Sequence, residues 1–231
     1  MGPAILPPPA ATARQRRKDA RPAELLDAAL TLFVEKGFAA TRAEEVAQRA
    51  GVSKGTLYLY YPSKEDLFKA VIAHNLGSRI ADTAQQVQAW QGQMGPLLES
   101  LLVQWWQQIY ASPAAGTFKI IVSEVRNFPE IADYYVQQVI EPGSALIGGI
   151  VARGMSSGEF REVDVESVVH SLVLPMVMLC VHKHGMAACS GHVIDGHRFI
   201  AEHVALVVRG LQQPAQPPRG SKPAPRRLPR A

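Results

Sequence analysis

The stretch AQRAGVSKGTL, residues 47–57, constrains the fold more than any other part of the chain. Ala47 is small enough for a second helix to cross close to it. Gly51, four residues on, can take the positive φ that turns the backbone sharply. Val52 offers the turn an apolar anchor, and Ser53 is a residue type that caps a following helix. Two short helices joined in this way make a helix-turn-helix, the unit whose second helix enters the major groove of DNA.

The flanking residues supply the helices such a unit needs. Leu26, Ala29, Leu30 and Phe33 fall at i, i+3, i+4 and i+7, one apolar face of a first helix. Pro22 suits its first turn and Gly37 its C-terminal end. Thr41 with Glu44 three residues later reads as a capping box opening a second helix. Pro62 closes the third helix, and Ser63 with Asp66 caps a fourth. On the short third helix Leu57 faces inward. Lys54, Gly55, Thr56, Tyr58 and Tyr60 are left for the outer rim, while Tyr61 beside Pro62 belongs to the core. Lys54 can neutralise a phosphate or reach a guanine edge, Gly55 permits close backbone approach, and Thr56 offers both a hydroxyl and a methyl. Tyr58 and Tyr60 can donate to phosphates, and Thr41 and Lys64 stand at flanking helix starts, where free N–H groups favour anions. Residues 22–75 hold six basic and seven acidic side chains, so binding would depend on where charge sits rather than on its excess.

Beyond Ile72 the helical period continues. Helices are expected near 64–89, 95–111, 115–127, 130–154, 163–184 and 196–211, with Gly, Pro and Ser clusters between them. The whole is an all-α chain: an N-terminal three-helix domain with a helix-turn-helix over residues 21–75, then a larger helical ligand-binding and dimerisation domain over 76–211. Residues 1–20 and 212–231 are proline-rich. Residues 1–21 carry +4 and 212–231 carry +5, so the overall +4 leaves −5 on the body between. Such ends are expected to be disordered, basic tails. The longest apolar stretch, Val168–Val181, is interrupted by His170, Ser171 and Pro175 and is shorter than a membrane span. The N-terminus lacks the basic-then-apolar order of a secretory signal, and two cysteines make no disulfide framework. A cytoplasmic chain with no membrane partner is expected. No phosphate-cradling loop or nucleophile elbow is present. Cys180, His182, His184, Cys189 and His192 match no standard zinc spacing, so no enzyme, metal or cofactor is expected.

The segment AALTLFVEKGFAATRAEEVAQRAGVSKGTLYLYYPSKEDLF closely resembles the DNA-binding domain of the TetR/AcrR family of bacterial transcriptional regulators, from about Glu24 to Ile72. Val46 and Tyr61 depart slightly, standing where isoleucine and phenylalanine are usual. The resemblance implies DNA contacts at Thr41, Arg42, Ser53, Lys54, Gly55, Thr56, Tyr58, Tyr60 and Lys64. It also implies a ligand-responsive regulator, most often a repressor, released by a small, often apolar effector. An activator of the same fold, or a trihelical protein-interaction module that ignores DNA, would share the pattern.

Residues 163–184 are apolar nearly all round, as in a helix buried on several sides. In the last helix Ile200, Val204, Val207, Val208 and Leu211 form one stripe; Phe199, His203 and Leu206 form a second. Two such helices and their symmetry mates would make an isologous four-helix interface, with Val169, Leu172, Val173, Ile200, Val204, Val207 and Val208 as candidates. A homodimer of this kind would read a palindromic operator in double-stranded DNA. Adjacent Trp105 and Trp106 should point about 100° apart, so that one fills core while the other lines a cavity. The effector pocket that the resemblance implies has Trp105, Trp106, Phe118, Tyr134, Met176 and Met178 as candidate walls. A ligand beside the C-terminal half of the helix starting at Ser63 would tilt that helix and move the recognition helix.

Overall fold

The computed structural model describes residues 13–124 and 126–213, with side chains from Pro22 onward. The regular secondary structure among the described residues is all helical, apart from one isolated bridge between Phe160 and Gln212. The first four helices are α1 (Ala13–Lys36), α2 (Ala43–Arg49), α3 (Lys54–Tyr60) and α4 (Lys64–Ile72). The body follows as α5 (Ser78–Ala89), α6 (Met94–Ala111), α7 (Ala115–Glu124), α8 (Pro129–Tyr135), α9 (Glu141–Ser156), α10 (Val165–His184), α11 (Met186–Ser190) and α12 (Gly196–Leu211).

Helix α1 begins earlier than expected, so Pro22 lies well inside it and residues 13–20 of the expected tail are helical. Residues 1–12 of that tail, and 214–231 of the other, lie outside the described residues. Gln212 and Gln213 are pinned to the body: Gln213 N–H donates to the Glu159 carbonyl at 3.4 Å. The expected capping box is displaced by one residue. Arg42 is the N-cap of α2, and its N–H donates to the Glu45 carboxylate at 3.1 Å. Thr41 turns inward and donates its hydroxyl to the Gly37 carbonyl at 2.7 Å. The carbonyls left over where α1 ends claim that hydroxyl, so it cannot cap α2.

The long helix expected over 64–89 is one rod interrupted by a π turn at Ala73–Gly77, and the one expected over 130–154 carries a π turn at Val136–Ile140. The two π turns pack against each other. A Cβ added to Gly77 would stand 3.4 Å from the Gln138 carbonyl, in contact with the neighbouring backbone.

Four phenylalanines join the N-terminal unit to the body. Phe33, Phe38 and Phe68 stack in a triangle with centroids 5.2–5.3 Å apart, all of them buried. Phe128, at the start of α8, meets Phe38 edge-on at 4.8 Å. Each such buried ring stabilises the fold by roughly 1.5–3 kcal/mol. Elsewhere Glu159 accepts from the Met94 and Gly95 N–H groups, both at 2.7 Å, and so caps α6 from a distant loop. In α10, Pro175 lacks the N–H that would bind the Ser171 carbonyl. His203 of α12 donates to that carbonyl instead, through Nε2 at 2.8 Å.

Val165–Ser190 is long and apolar enough to cross a membrane by length and composition, which revises the shorter stretch taken from the sequence. In the fold, Val168, Val169, Leu172, Met176, Leu179 and Cys180 of this segment pack into the core.

Candidate nucleic-acid interface and inner cavity

Helices α2 and α3 meet as the turn residues require. Gly51 takes φ +67°, and Val52 N–H returns to the Ala47 carbonyl at 2.9 Å. Ser53 Oγ accepts from the Thr56 N–H at 3.1 Å and lies 2.9 Å from the Thr56 hydroxyl. Leu57 is fully buried and pins α3 to the core.

Lys54, Gly55 and Tyr58 are thereby left exposed, with Thr56 and Tyr60 half-buried beside them. Lys54 forms an ion pair with Glu44 of α2 and lies 5.7 Å from the Tyr58 ring centroid. Its hydrogen bond to Glu44 raises the ammonium pKa and lowers that of the carboxyl, so both groups are charged at neutral pH. Arg42, exposed at the N-cap of α2, adds a weaker electrostatic lowering of the Glu44 pKa without pairing with it. The acidic neighbours are engaged too: Glu45 with Lys36 at 2.6 Å, and Glu35 with Arg49 at 2.8 Å.

Two expected contacts lie elsewhere. Thr41 is 1% exposed, with its hydroxyl spent on the Gly37 carbonyl. Lys64 points inward and donates to the carbonyls of Phe38, Ala39 and Thr41 at 2.9, 3.1 and 3.3 Å. Its ammonium also sits 4.5 Å from the Phe38 ring centroid. Three acceptors saturate the three protons of an ammonium, so Lys64 clamps the α1–α2 turn and has none to spare for a phosphate. Leu59, which the sequence reading passed over, is 82% exposed on α3. Helical period could have found it, because a residue two positions after the pinned Leu57 faces away from the core.

A cavity of about 290 Å³ opens between α6, α7, α9, α10 and the second π turn. Trp105, Trp106 and Phe118 line it as expected. Tyr134, Met176 and Met178 do not: Tyr135 takes the wall position, Met176 is fully buried, and Met178 is 60% exposed. Both tryptophans touch the one cavity, packed edge to face at 4.8 Å, but Trp106 is 1% exposed in the core and Trp105 only half-buried, so the expected split between core and wall is partial. Burial raises the pKa of the Tyr135 hydroxyl and pushes the nearby Cys180 thiol up to about 12, so both stay neutral.

The candidate dimer residues divide differently as well. Val169, Leu172, Ile200, Val204 and Val208 are buried within the chain and serve its own core, while Val169 and the half-buried Val173 also line the cavity. Val207 is half-buried. The exposed apolar side chains on these helices are Leu174, Met178, Phe199 and Leu206, of which Phe199 and Leu206 belong to the second stripe of α12. One chain buries one stripe of each helix on itself, and only the opposite stripe remains.

A helix-turn-helix on a three-helix unit, followed by a helical body with an internal cavity, is the plan of a ligand-responsive transcriptional regulator, and comparison with known proteins agrees with it. The family profile described as "Bacterial regulatory proteins, tetR family" matches residues 25–71. The HTH-type transcriptional repressor KstR2 of Rhodococcus jostii (strain RHA1) is 30% identical over 164 residues, covering 70% of this chain and 78% of that protein. YfiR of Bacillus subtilis (strain 168), an uncharacterized HTH-type transcriptional regulator, is 28% identical over the same shares. Among solved structures, the fatty acid degradation regulator FadR from Bacillus halodurans superposes with a TM-score of 0.68 at 21% identity, over 82% of this chain and 99% of that one. FadR from Bacillus subtilis in complex with stearoyl-CoA gives 0.63 at 19%, over the same shares. The chain belongs to the TetR family of bacterial transcriptional regulators.

Proposed function

We propose that this protein is an effector-released repressor that binds a palindromic operator as a homodimer in the cytoplasm and has no catalytic role. The observation that carries the effector half is the position of the cavity. Its walls α7 and α8 are the elements that touch the N-terminal unit. Phe128 meets Phe38, Glu130 pairs with Lys69 of α4 at 3.1 Å, and a Cβ on Gly116 would overlap Val34 of α1 at 2.4 Å. A ligand that displaces α7 or α8 therefore pushes on α1 and α4 directly. The rod of α4 and α5 does not line this cavity, so the cavity itself acts on the N-terminal unit through α7 and α8.

For DNA, the supporting residues are Arg42, Ser53, Lys54, Gly55, Thr56, Tyr58 and Tyr60, with Leu59 added as an apolar contact for a thymine methyl. For the dimer, they are Leu174, Met178, Phe199 and Leu206. The apolar walls fit an apolar chain, such as the stearoyl chain of the stearoyl-CoA in the Bacillus subtilis FadR complex. The ligand acts only through a difference in affinity between DNA-bound and free geometries.

Selection of bound genomic fragments followed by footprinting tests the reading. A two-fold protected site is expected, with affinity falling steeply as salt rises. A cavity-binding apolar compound should lower operator affinity. Protection of no duplex by the folded protein, or operator affinity unmoved by a bound cavity ligand, would overturn it.

A further inference from the structure

Trp105 lines more than the inner cavity. On its other side, between α5 and α6, lies a groove of about 290 Å³ whose walls include Arg79, Asp82, Gln86, Gln104 and Gln108. A void of about 20 Å³, lined by Ile80, Thr83, Trp105, Gly143 and Ile147 among others, sits between groove and cavity. Trp105 lines all three spaces, so its indole is the partition between a polar compartment and an apolar one. Each large compartment alone lies at the bottom of the size range for ligand sites, about 300–1,000 Å³.

Three features mark that partition as movable. Trp105 is only half-buried, whereas the neighbouring Trp106 is 1% exposed and held in the core. Among the described residues the Trp105 Nε1–H, like that of Trp106, is buried without a hydrogen-bond partner, and of the two only the half-buried Trp105 borders a polar groove where a partner could be found. Gly143 brings no side chain to the far side of the void, where an added Cβ would meet Ile80 Cδ1 at an ordinary contact distance of 3.6 Å. An outward swing would carry the indole N–H toward the carbonyl oxygens of the groove's amide side chains and join the compartments.

The groove also specifies what it would hold. It carries one cation and one anion, Arg79 and Asp82, and is otherwise lined by amides and hydroxyls with some apolar side chains. Arg79 Nη1 already donates to Gln108 Oε1 at 2.7 Å. A head with a full charge of either sign meets one opposing and one matching group, whereas hydroxyls or amides find donors and acceptors throughout.

We infer that the effector is an amphipathic molecule, its apolar chain in the inner cavity and an uncharged head bearing several hydrogen-bonding groups, more than the single hydroxyl of an alcohol, in the outer groove, with Trp105 displaced between them. The inference rests on reading the inner cavity as the effector site. Calorimetric titration below micelle formation with decan-1-ol, decyl glucoside, decanoate and decyltrimethylammonium tests it. Decyl glucoside should bind about tenfold more tightly than the other three, the scale of one or two net hydrogen bonds. The double variant Gln104→Leu/Gln108→Leu should remove that advantage and leave decan-1-ol binding unchanged. If decan-1-ol binds and the glucoside binds no better, or if its advantage survives the double variant, the head-group inference is wrong while the cavity reading stands. If none of the four binds, the cavity reading itself fails.

Discussion

The N-terminal unit and the helical body are built on different principles. The unit closes on a triangle of phenylalanines and a lysine whose three protons all find carbonyls. The side chains proposed to face DNA stand mainly on α3, a short helix with a satisfied N-cap. The body contains a cavity, two π turns in contact, and buried polar atoms with no partner on Trp105, Trp106, Thr117 and His184. π turns break the regular hydrogen-bond ladder and gather at functional places. The contrast teaches a division of labour: a reader must hold its side chains in one geometry, whereas a sensor needs alternatives of similar energy.

The largest test of that contrast is at the junction. Phe38→Ala should destabilise the protein by about 3–5 kcal/mol, because Phe38 packs against three other rings and its removal leaves a cavity. Thermal unfolding measures this; a small loss would mean the two regions are joined elsewhere.

A second, smaller effect separates two lysines that look alike in the sequence. Lys54→Ala should weaken operator binding with the unfolding temperature unchanged. Lys64→Ala should cost roughly 1–3 kcal/mol of stability by leaving carbonyls short of a donor, and affect DNA only through that loss. Parallel melting and binding measurements decide it, and a Lys64 variant that melts normally yet binds poorly would reverse the assignment.

The smallest effect concerns pH. Burial lowers the His184 pKa in the folded chain, and its Nε2 has no partner. The unfolded chain therefore takes up the proton first as pH falls, so stability is full above the ordinary histidine pKa and declines below it. The melting temperature should fall between pH 7.5 and 5.5, and His184→Gln should flatten part of that slope. A variant with an unchanged slope would show that His184 is not its source.

The reader was legible in the sequence because its signals are local. Gly51, Ser53, Leu57 and Ser63 act on residues within four positions of themselves, and neither the turn nor the caps need the rest of the chain. Even there, Thr41 and Lys64 misled. Thr41 has two local choices, capping α2 or the Gly37 carbonyl four residues back, and takes the second; Lys64 is placed by long-range proximity alone, against carbonyls 23 to 26 residues away.

In the body, periodicity located nearly every helix and identified α10 and α12 as apolar on more than one side. It could not say which stripe the chain would use on itself. Val204 and Leu206 are equally apolar in composition, yet one is fully buried and the other 69% exposed. What the sequence determined by itself is the all-α plan, the turn between α2 and α3, and the outward set on α3, because each follows from steric and hydrogen-bond preferences over a few residues. Only the tertiary structure decided that both tryptophans share a cavity, that Tyr135 rather than Tyr134 lines it, and which stripe is left for a partner. Those outcomes depend on how helices far apart in the chain pack, which no local preference specifies.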